Sequence, residues 1–212
     1  MGLAAATAEV ARRDPALAAV IERAGPMHLP KARQPDPFLS LAEAIVFQQL
    51  AGAAASAIWA RVVAAFPDGM IPEAVAATPD EVLRAAGLSA NKAKSIKDLA
   101  AKVLDGTVPL RGISRASDEE VVRRLTVVRG IGPWTAEMFL LFDLHRLDVW
   151  PILDYGVRNG WSIMHGLPAI PTPKALLPEG EVFRPYRSVA AWYCWRAVEL
   201  TRKAPAVPGL TE

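Results

Sequence analysis

The sequence is poor in metal-binding and redox-active side chains. Cys194 is the single cysteine among 212 residues, so the chain cannot form an internal disulfide or a cysteine zinc cluster. One thiol also excludes a four-cysteine iron–sulfur cluster. The three histidines show no zinc-site spacing. Because Cys194 lies in an apolar segment, we expect it to be buried and unreactive.

Long hydrophobic runs are also missing, although 52% of the residues are hydrophobic. A membrane-spanning helix needs about 18 or more consecutive apolar residues, and no segment reaches that length. Near the start of the chain, charges at Glu9, Arg12 and Arg13 interrupt any signal-peptide core. We therefore expect a soluble, cytoplasmic protein with no membrane partner.

The chain has no large excess of one charge. Lysine and arginine total 24 against 22 acidic residues, which gives a net charge of +2 and a pI near 8.8. The usual footprint of nucleic-acid binding is a pI above about 9 with clustered basic residues. The charge balance therefore permits a nucleic-acid partner without identifying one.

Strand signals are absent, because no tight turn is flanked by alternating apolar and polar residues. Helix signals are frequent. Thr78 and Ser117 each begin a capping-box pattern, and Ser89 precedes a helical run that ends at Gly106. Further apolar periodicity covers 38–50, 51–66 and 184–202. The sequence predicts an all-α fold of about ten helices.

The segment TVVRGIGPWTAEMFLL, residues 126–141, places two glycines between helical runs. Each glycine costs about 1 kcal/mol relative to alanine inside a helix, so Gly130 and Gly132 predict a tight turn. The second helix is predicted to begin at Pro133. Backbone amides at Gly130, Gly132 and Thr135 then suit a phosphate by geometry and by helix dipole. An ordinary αα-corner is the alternative interpretation.

Asp154 follows a loop that contains Pro151 and precedes an apparent new helix. A helix N-cap is a common role for aspartate at such a position. That role does not exclude catalysis, because capping also orients the carboxylate.

The pattern L-x-x-V-x-G-I-G-P-W-T-A, residues 125–136, resembles the helix–hairpin–helix signature of DNA-binding proteins. The resemblance implies a module over about 118–143. It also implies a structural monovalent cation, Na⁺ or K⁺, held by the backbone carbonyls of Thr126, Val128 and Ile131. No other cofactor is expected.

The hairpin, the following loop and Asp154 together resemble the base-excision DNA glycosylase superfamily. Segments 44–62, 87–100 and 185–195 are similar to further elements of its alkyladenine branch, the 3-methyladenine DNA glycosylase II group, in its compact form without an N-terminal β domain. The resemblance implies that Asp154 is the catalytic residue. It implies removal of alkylated purines such as 3-methyladenine and 7-methylguanine from double-stranded DNA.

The resemblance also implies a two-lobed helical bundle with an active-site cleft between the lobes. We expect residues 1–53 and 151–212 to form one lobe and residues 54–150 to form the other. We expect a monomer. Superfamily members that also cut the strand carry a lysine two residues after the second hairpin glycine, where this chain has Trp134. A monofunctional enzyme that leaves an abasic site is therefore expected.

A cationic alkylated purine is attracted to electron-rich rings, and the predicted base pocket comprises Trp134, Met138, Tyr155 and Trp195. The DNA wedge that fills the gap left by a flipped base is assigned to Gln49 and Leu50, either of which also suits core or helix-end packing. Phosphate contacts are predicted for Arg129, Lys92, Lys94 and Arg158, each of which also suits a solvated surface. Core positions are expected for Trp59, Trp150 and Trp161.

Two other functions remain open at this point. One is a non-catalytic helix–hairpin–helix DNA-binding protein. The other is a glycosylase that acts on hypoxanthine, ethenoadenine or mismatched bases, since pocket shape decides the choice of base.

Overall fold

A computed structural model of the protein describes residues 2–29, 34, 36–50 and 52–203, with only the backbone of residue 203. Within these ranges the chain forms twelve α-helices and two short 3₁₀ helices, and no strand. The all-α prediction is confirmed. Nowhere in these ranges is there a helix with the length and apolar character that a bilayer crossing requires.

The chain divides into two compact units, Met1–Leu29 with Arg146–Glu212, and Pro30–His145. The first unit contains α1 (Leu3–Arg13), α2 (Pro15–Ala24), α10 (Tyr155–Met164), α11 (Pro173–Leu176), a 3₁₀ helix (Pro178–Phe183) and α12 (Arg187–Lys203). The second contains α3 (Pro37–Phe47), α4 (Gly52–Ala64), α5 (Pro72–Ala77), α6 (Asp80–Ala85), α7 (Ala90–Leu104), a 3₁₀ helix (Ile113–Arg115), α8 (Asp118–Leu125) and α9 (Pro133–Phe142).

This division differs from the sequence-based boundaries, which assigned residues up to 53 to the unit formed by the chain ends. Helix α3 packs against α4, α7 and α9, and seven of its residues are buried. An apolar helix belongs to the core that covers it, so α3 falls in the second unit. The other boundary lies between His145 and Arg146 rather than after residue 150.

In the first unit, α12 packs mainly against α10 and α2. The contact with α10 is close at Gly160, where an added Cβ would lie 1.9 Å from the carbonyl oxygen of Cys194. Cys194 is fully buried, and burial raises the pKa of its thiol. Trp150 and Trp161 are also buried in this core, and Trp59 is buried in the second unit, as predicted.

Of the three hydroxyl side chains predicted to cap helix N-termini, two do so. The hydroxyl of Ser89 accepts from the amide of Lys92, and that of Ser117 accepts from the amide of Glu120, both at 3.2 Å. The prediction for Thr78 was wrong. Its hydroxyl donates to the carbonyl of Ala74 at 2.7 Å and so caps the end of α5.

Candidate functional site

The predicted hairpin joins α8 to α9 in the second unit. Gly130 has φ +77°, and a Cβ there would lie 2.6 Å from the hydroxyl oxygen of Ser95. Both the backbone conformation and the packing therefore require glycine at this position. The amide of Arg129 donates to the carboxylate of Asp98 at 2.7 Å, which fixes the turn from outside. Asp98 was not predicted from the sequence.

Gly132 serves a different purpose from Gly130. It is the N-cap of α9, with an extended backbone at φ −93° and no side chain to cap the helix. A Cβ would meet nothing within 4 Å, so neither conformation nor local packing requires glycine. Because Gly132 has no side chain, the backbone amides at the N-terminus of α9 are unobstructed. A helix N-terminus of this kind is suited to bind an anion. The hydroxyl of Thr135 is already in contact with Gln48, so a phosphate contact by Thr135 would use its backbone amide.

The segment between α3 and α4 carries the predicted wedge residues. Gln49 has a positive φ of 56°, and both Gln49 and Leu50 are exposed. Their exposure favours the wedge interpretation over core packing. Sequence reasoning overlooked Gln48, whose Nε2 donates to the carbonyl of Gly130 at 2.9 Å and to the hydroxyl of Thr135 at 3.2 Å.

Lys92 does not extend into solvent as the phosphate prediction assumed. Its ammonium donates to the carbonyl oxygens of Val46 at 2.7 Å and Gln48 at 2.6 Å. Burial lowers the pKa of Lys92. These contacts make Lys92 a cap for the C-terminus of α3, because the last carbonyls of a helix lack intrahelical donors.

The other two basic side chains in this unit that were predicted to contact phosphate, Lys94 and Arg129, are exposed. The guanidinium of Arg129 also donates to the side chain of Asn91 at 3.2 Å. Arg129 also lines a polar groove of about 410 Å³, together with Gln48, Gln49, Ser89, Asn91, Lys92, Ser95 and Gly130.

Two predicted pocket residues lie on α9 in the second unit. Trp134 is 39% exposed, and Met138, one helical turn later, is half-buried. Residues four apart share a helix face, so the two side chains lie side by side.

Asp154 lies in the first unit as the N-cap of α10. Its Oδ1 accepts from the amide of Val157 at 2.8 Å, which confirms the capping role. The same oxygen accepts from the indole Nε1 of Trp195 at 2.9 Å. The structure thus brings together the predicted catalytic residue and one predicted pocket residue, through a contact that the sequence did not predict.

Tyr155, the residue after Asp154, is 62% exposed. The guanidinium of Arg158 lies 5.9 Å from the centre of its ring. Arg158 also donates to the carbonyl of Pro171 at 3.2 Å. The guanidinium of Arg158, which was predicted to contact a phosphate, therefore contacts the Tyr155 ring and the Pro171 carbonyl of its own chain.

The three carbonyls predicted to hold a cation lie in the hairpin turn. That of Val128 accepts from the amide of Ile131 at 3.1 Å, and a carbonyl oxygen keeps a second lone pair after one such bond. Backbone oxygens of this kind are ligands that hard cations prefer. Among the described residues there is no cluster of three or more His, Cys, Asp or Glu side chains that could hold a metal ion.

Comparisons with known proteins agree with this geometry. Residues 42–185 match the family described as HhH-GPD superfamily base excision DNA repair protein. The chain is 40% identical over 168 residues to DNA-3-methyladenine glycosylase 1 of Schizosaccharomyces pombe, covering 78% of this chain and 74% of the relative. The chain therefore belongs to the HhH-GPD superfamily of base excision DNA repair proteins.

Two solved structures are similar over nearly the whole fold. The S. pombe 3-methyladenine DNA glycosylase in complex with abasic DNA has a TM-score of 0.84 and 35% identity, covering 94% of this chain and 99% of that chain. A DNA-3-methyladenine glycosidase from Bacillus halodurans has a TM-score of 0.82 and 36% identity, covering 92% and 90%. The resemblance inferred from the sequence is confirmed.

Proposed function

We propose that the chain is a monofunctional DNA glycosylase that flips alkylated purines out of double-stranded DNA and hydrolyses the N-glycosidic bond. The observation that carries the proposal is Asp154, whose Oδ1 is fixed by the Val157 amide and the Trp195 indole. A non-catalytic DNA-binding module has no need of a carboxylate held in this way.

Positive charge develops on the deoxyribose as the glycosidic bond breaks. The Asp154 carboxylate stabilises that charge in the transition state and orients or deprotonates the attacking water. A purine alkylated at N3 or N7 is cationic and leaves as a neutral base, so no general acid is needed. The product is an abasic site.

Aromatic side chains favour a cationic base over a neutral one by about 0.5–2 kcal/mol. The exposed rings of Trp134 and Tyr155 are suited to this contact, as are Met138 and the indole face of Trp195. Specificity for 3-methyladenine and 7-methylguanine follows from this preference for positive charge. Trp134 has no amine to attack the sugar, so the proposed enzyme lacks lyase activity.

The remaining predicted residues bind the DNA backbone and support the flipped state. The amides at the N-terminus of α9, with Lys94 and Arg129, contact phosphates, and Gln49 and Leu50 fill the gap in the stack. A Na⁺ or K⁺ ion on the carbonyls of Thr126, Val128 and Ile131 would add positive charge beside a phosphate. No further cofactor is needed, and the protein acts as a monomer.

A base-release assay tests the proposal. Duplexes that differ in one base, 7-methylguanine, 3-methyladenine, hypoxanthine, ethenoadenine, a mismatched base or guanine, are incubated with the protein, and the free base is quantified. We expect release of the two methylated purines, with strand cleavage only after alkaline treatment. Preferential release of the neutral bases would overturn the assignment of substrate. Tight DNA binding with no base release would favour the non-catalytic module.

A further inference from the structure

Asp154 and Trp195 meet because α10 and α12 cross at two glycines one helical turn apart. Gly160 brings the two backbones together at Cys194, the residue before Trp195. Gly156 leaves the space that the indole fills: a Cβ there would lie 2.7 Å from Cδ1 of Trp195, 2.9 Å from Nε1 and 3.1 Å from Oδ1 of Asp154. Gly156 is not among the glycines with positive φ, so its role is to provide space.

The hydrogen bond from Trp195 restricts the orientation of the Asp154 carboxylate. A capping aspartate that accepts one amide keeps rotational freedom about its terminal bond. Here the Val157 amide and the indole N–H reach the same oxygen from two directions. Two donors on Oδ1 set the carboxylate plane and therefore the direction of Oδ2.

We propose that Trp195 is a positioning residue that orients the Asp154 carboxylate through its indole N–H, with Gly156 providing the space for that contact. This inference rests on the proposed catalytic role of Asp154. It gives Trp195 a function separate from that of a wall for the base, because a stacking wall needs the ring face and not the N–H. Positioning of this kind raises the rate of the chemical step and leaves DNA affinity largely unchanged.

The decisive variant replaces Trp195 with β-(3-benzothienyl)alanine, which keeps the bicyclic ring and exchanges the N–H for sulfur. Trp195→Phe is the simpler companion, and Gly156→Ala perturbs the contact without altering either side chain. Trp192→Phe is the matched control, because Trp192 lies on the same helix with its ring beside Arg196. Each protein is assayed for single-turnover release of 7-methylguanine and for affinity to abasic-site DNA.

A charge-assisted hydrogen bond is among the stronger ones, so we expect the benzothienyl protein and Gly156→Ala to lose about tenfold or more in single-turnover rate. Their affinity for abasic-site DNA, and the rate of Trp192→Phe, should stay within about twofold of native.

A benzothienyl protein with the native single-turnover rate would overturn the inference, since the ring alone would then suffice. Asp154→Asn is run in parallel to separate the two claims. If Asp154→Asn releases base at the native rate, the proposed role of Asp154 fails. If Asp154→Asn is inactive while the benzothienyl protein is unimpaired, only the positioning role of Trp195 fails.

Discussion

The side chain of Gln48 joins the predicted wedge segment to the hairpin, donating from Nε2 to the carbonyl oxygen of Gly130 at 2.9 Å. Its second contact, with the hydroxyl of Thr135, reaches the first turn of α9. Gln49 and Leu50 follow immediately in the chain. The segment proposed to enter the DNA and the turn proposed to bind its backbone are therefore held together by one side-chain amide.

We predict that Gln48→Met lowers both affinity for abasic-site DNA and the rate of base flipping, because the wedge segment loses its link to the hairpin. The measurements are a binding titration and stopped-flow fluorescence of 2-aminopurine beside the lesion. Thr135→Val removes one acceptor without touching Gln48. The double variant should be less impaired than the sum of the two single variants, by about 0.5 kcal/mol or more. Full additivity would show that the contact does not couple the two segments.

Lys92 and Lys94 form a matched pair for testing the role of charge. Lys94 is exposed, and we expect Lys94→Met to reduce the slope of log K against log salt by about 0.9, the value for one lost phosphate contact. Lys92 donates to Val46 and Gln48, so Lys92→Met should leave that slope unchanged. It should instead lower the free energy of unfolding by about 1–3 kcal/mol, because two carbonyls lose a charged donor. If Lys92→Met instead reduced the salt slope and left the free energy of unfolding unchanged, Lys92 would be a phosphate ligand and not a helix cap.

Asp98 links protonation to the stability of the hairpin. Partial burial acts to raise its pKa, but hydrogen bonds from the Arg129 amide and the Lys102 ammonium outweigh burial, so the pKa of Asp98 lies below its ordinary value. A lowered pKa in the folded state means that the stabilisation is complete above the unfolded value of about 3.9 and is lost as pH falls through the folded value.

Asp98→Asn should therefore reduce the free energy of unfolding at pH 7 by about 1–2 kcal/mol. The difference from the native protein should shrink as pH falls below the ordinary carboxyl pKa of about 3.9 and through the lowered pKa of folded Asp98. Urea unfolding at a series of pH values measures both effects. A difference that stays constant across this range would show that the carboxylate charge is not what stabilises the turn.

We predict that Trp134→Lys does not create an efficient lyase. An attacking lysine must be neutral and aligned with the sugar, whereas position 134 is 39% exposed in the native protein and an exposed amine stays protonated. The measurement is borohydride trapping of a covalent adduct with lesion-containing DNA. Appreciable trapping would show that exposure at this position does not prevent the reaction.

The sequence identified those features that depend on short spacing. Capping serines, the two hairpin glycines and an aspartate before a helix each carry a local signal. The structure has a helix start at the two serines, at Gly132 and at Asp154, and Gly130 lies in the turn between α8 and α9. The error at Thr78 arose because one hydroxyl can cap the end of one helix or the start of the next. Periodicity does not decide between them when Pro79 lies at the junction.

The missed features depend on contacts between residues far apart in the chain. Gln48 and Gly130 are separated by 82 positions, and Trp195 lies 41 positions from Asp154. Nothing local in FQQL distinguishes Gln48 from Gln49. Gly156 and Gly160, however, are spaced one helical turn apart on α10. That spacing is a local signal, and it could have been used to predict that another helix packs closely against this face of α10.

The catalytic role of Asp154 is tested most directly by the single-turnover release of 7-methylguanine by Asp154→Asn compared with the native protein. The substitution keeps the size of the side chain and an oxygen for the Val157 amide, and it removes the negative charge. We expect the rate to fall by about 100-fold or more, with affinity for abasic-site DNA retained. Release at the native rate, with the fold and DNA binding intact, would contradict the proposal that this carboxylate carries the chemistry.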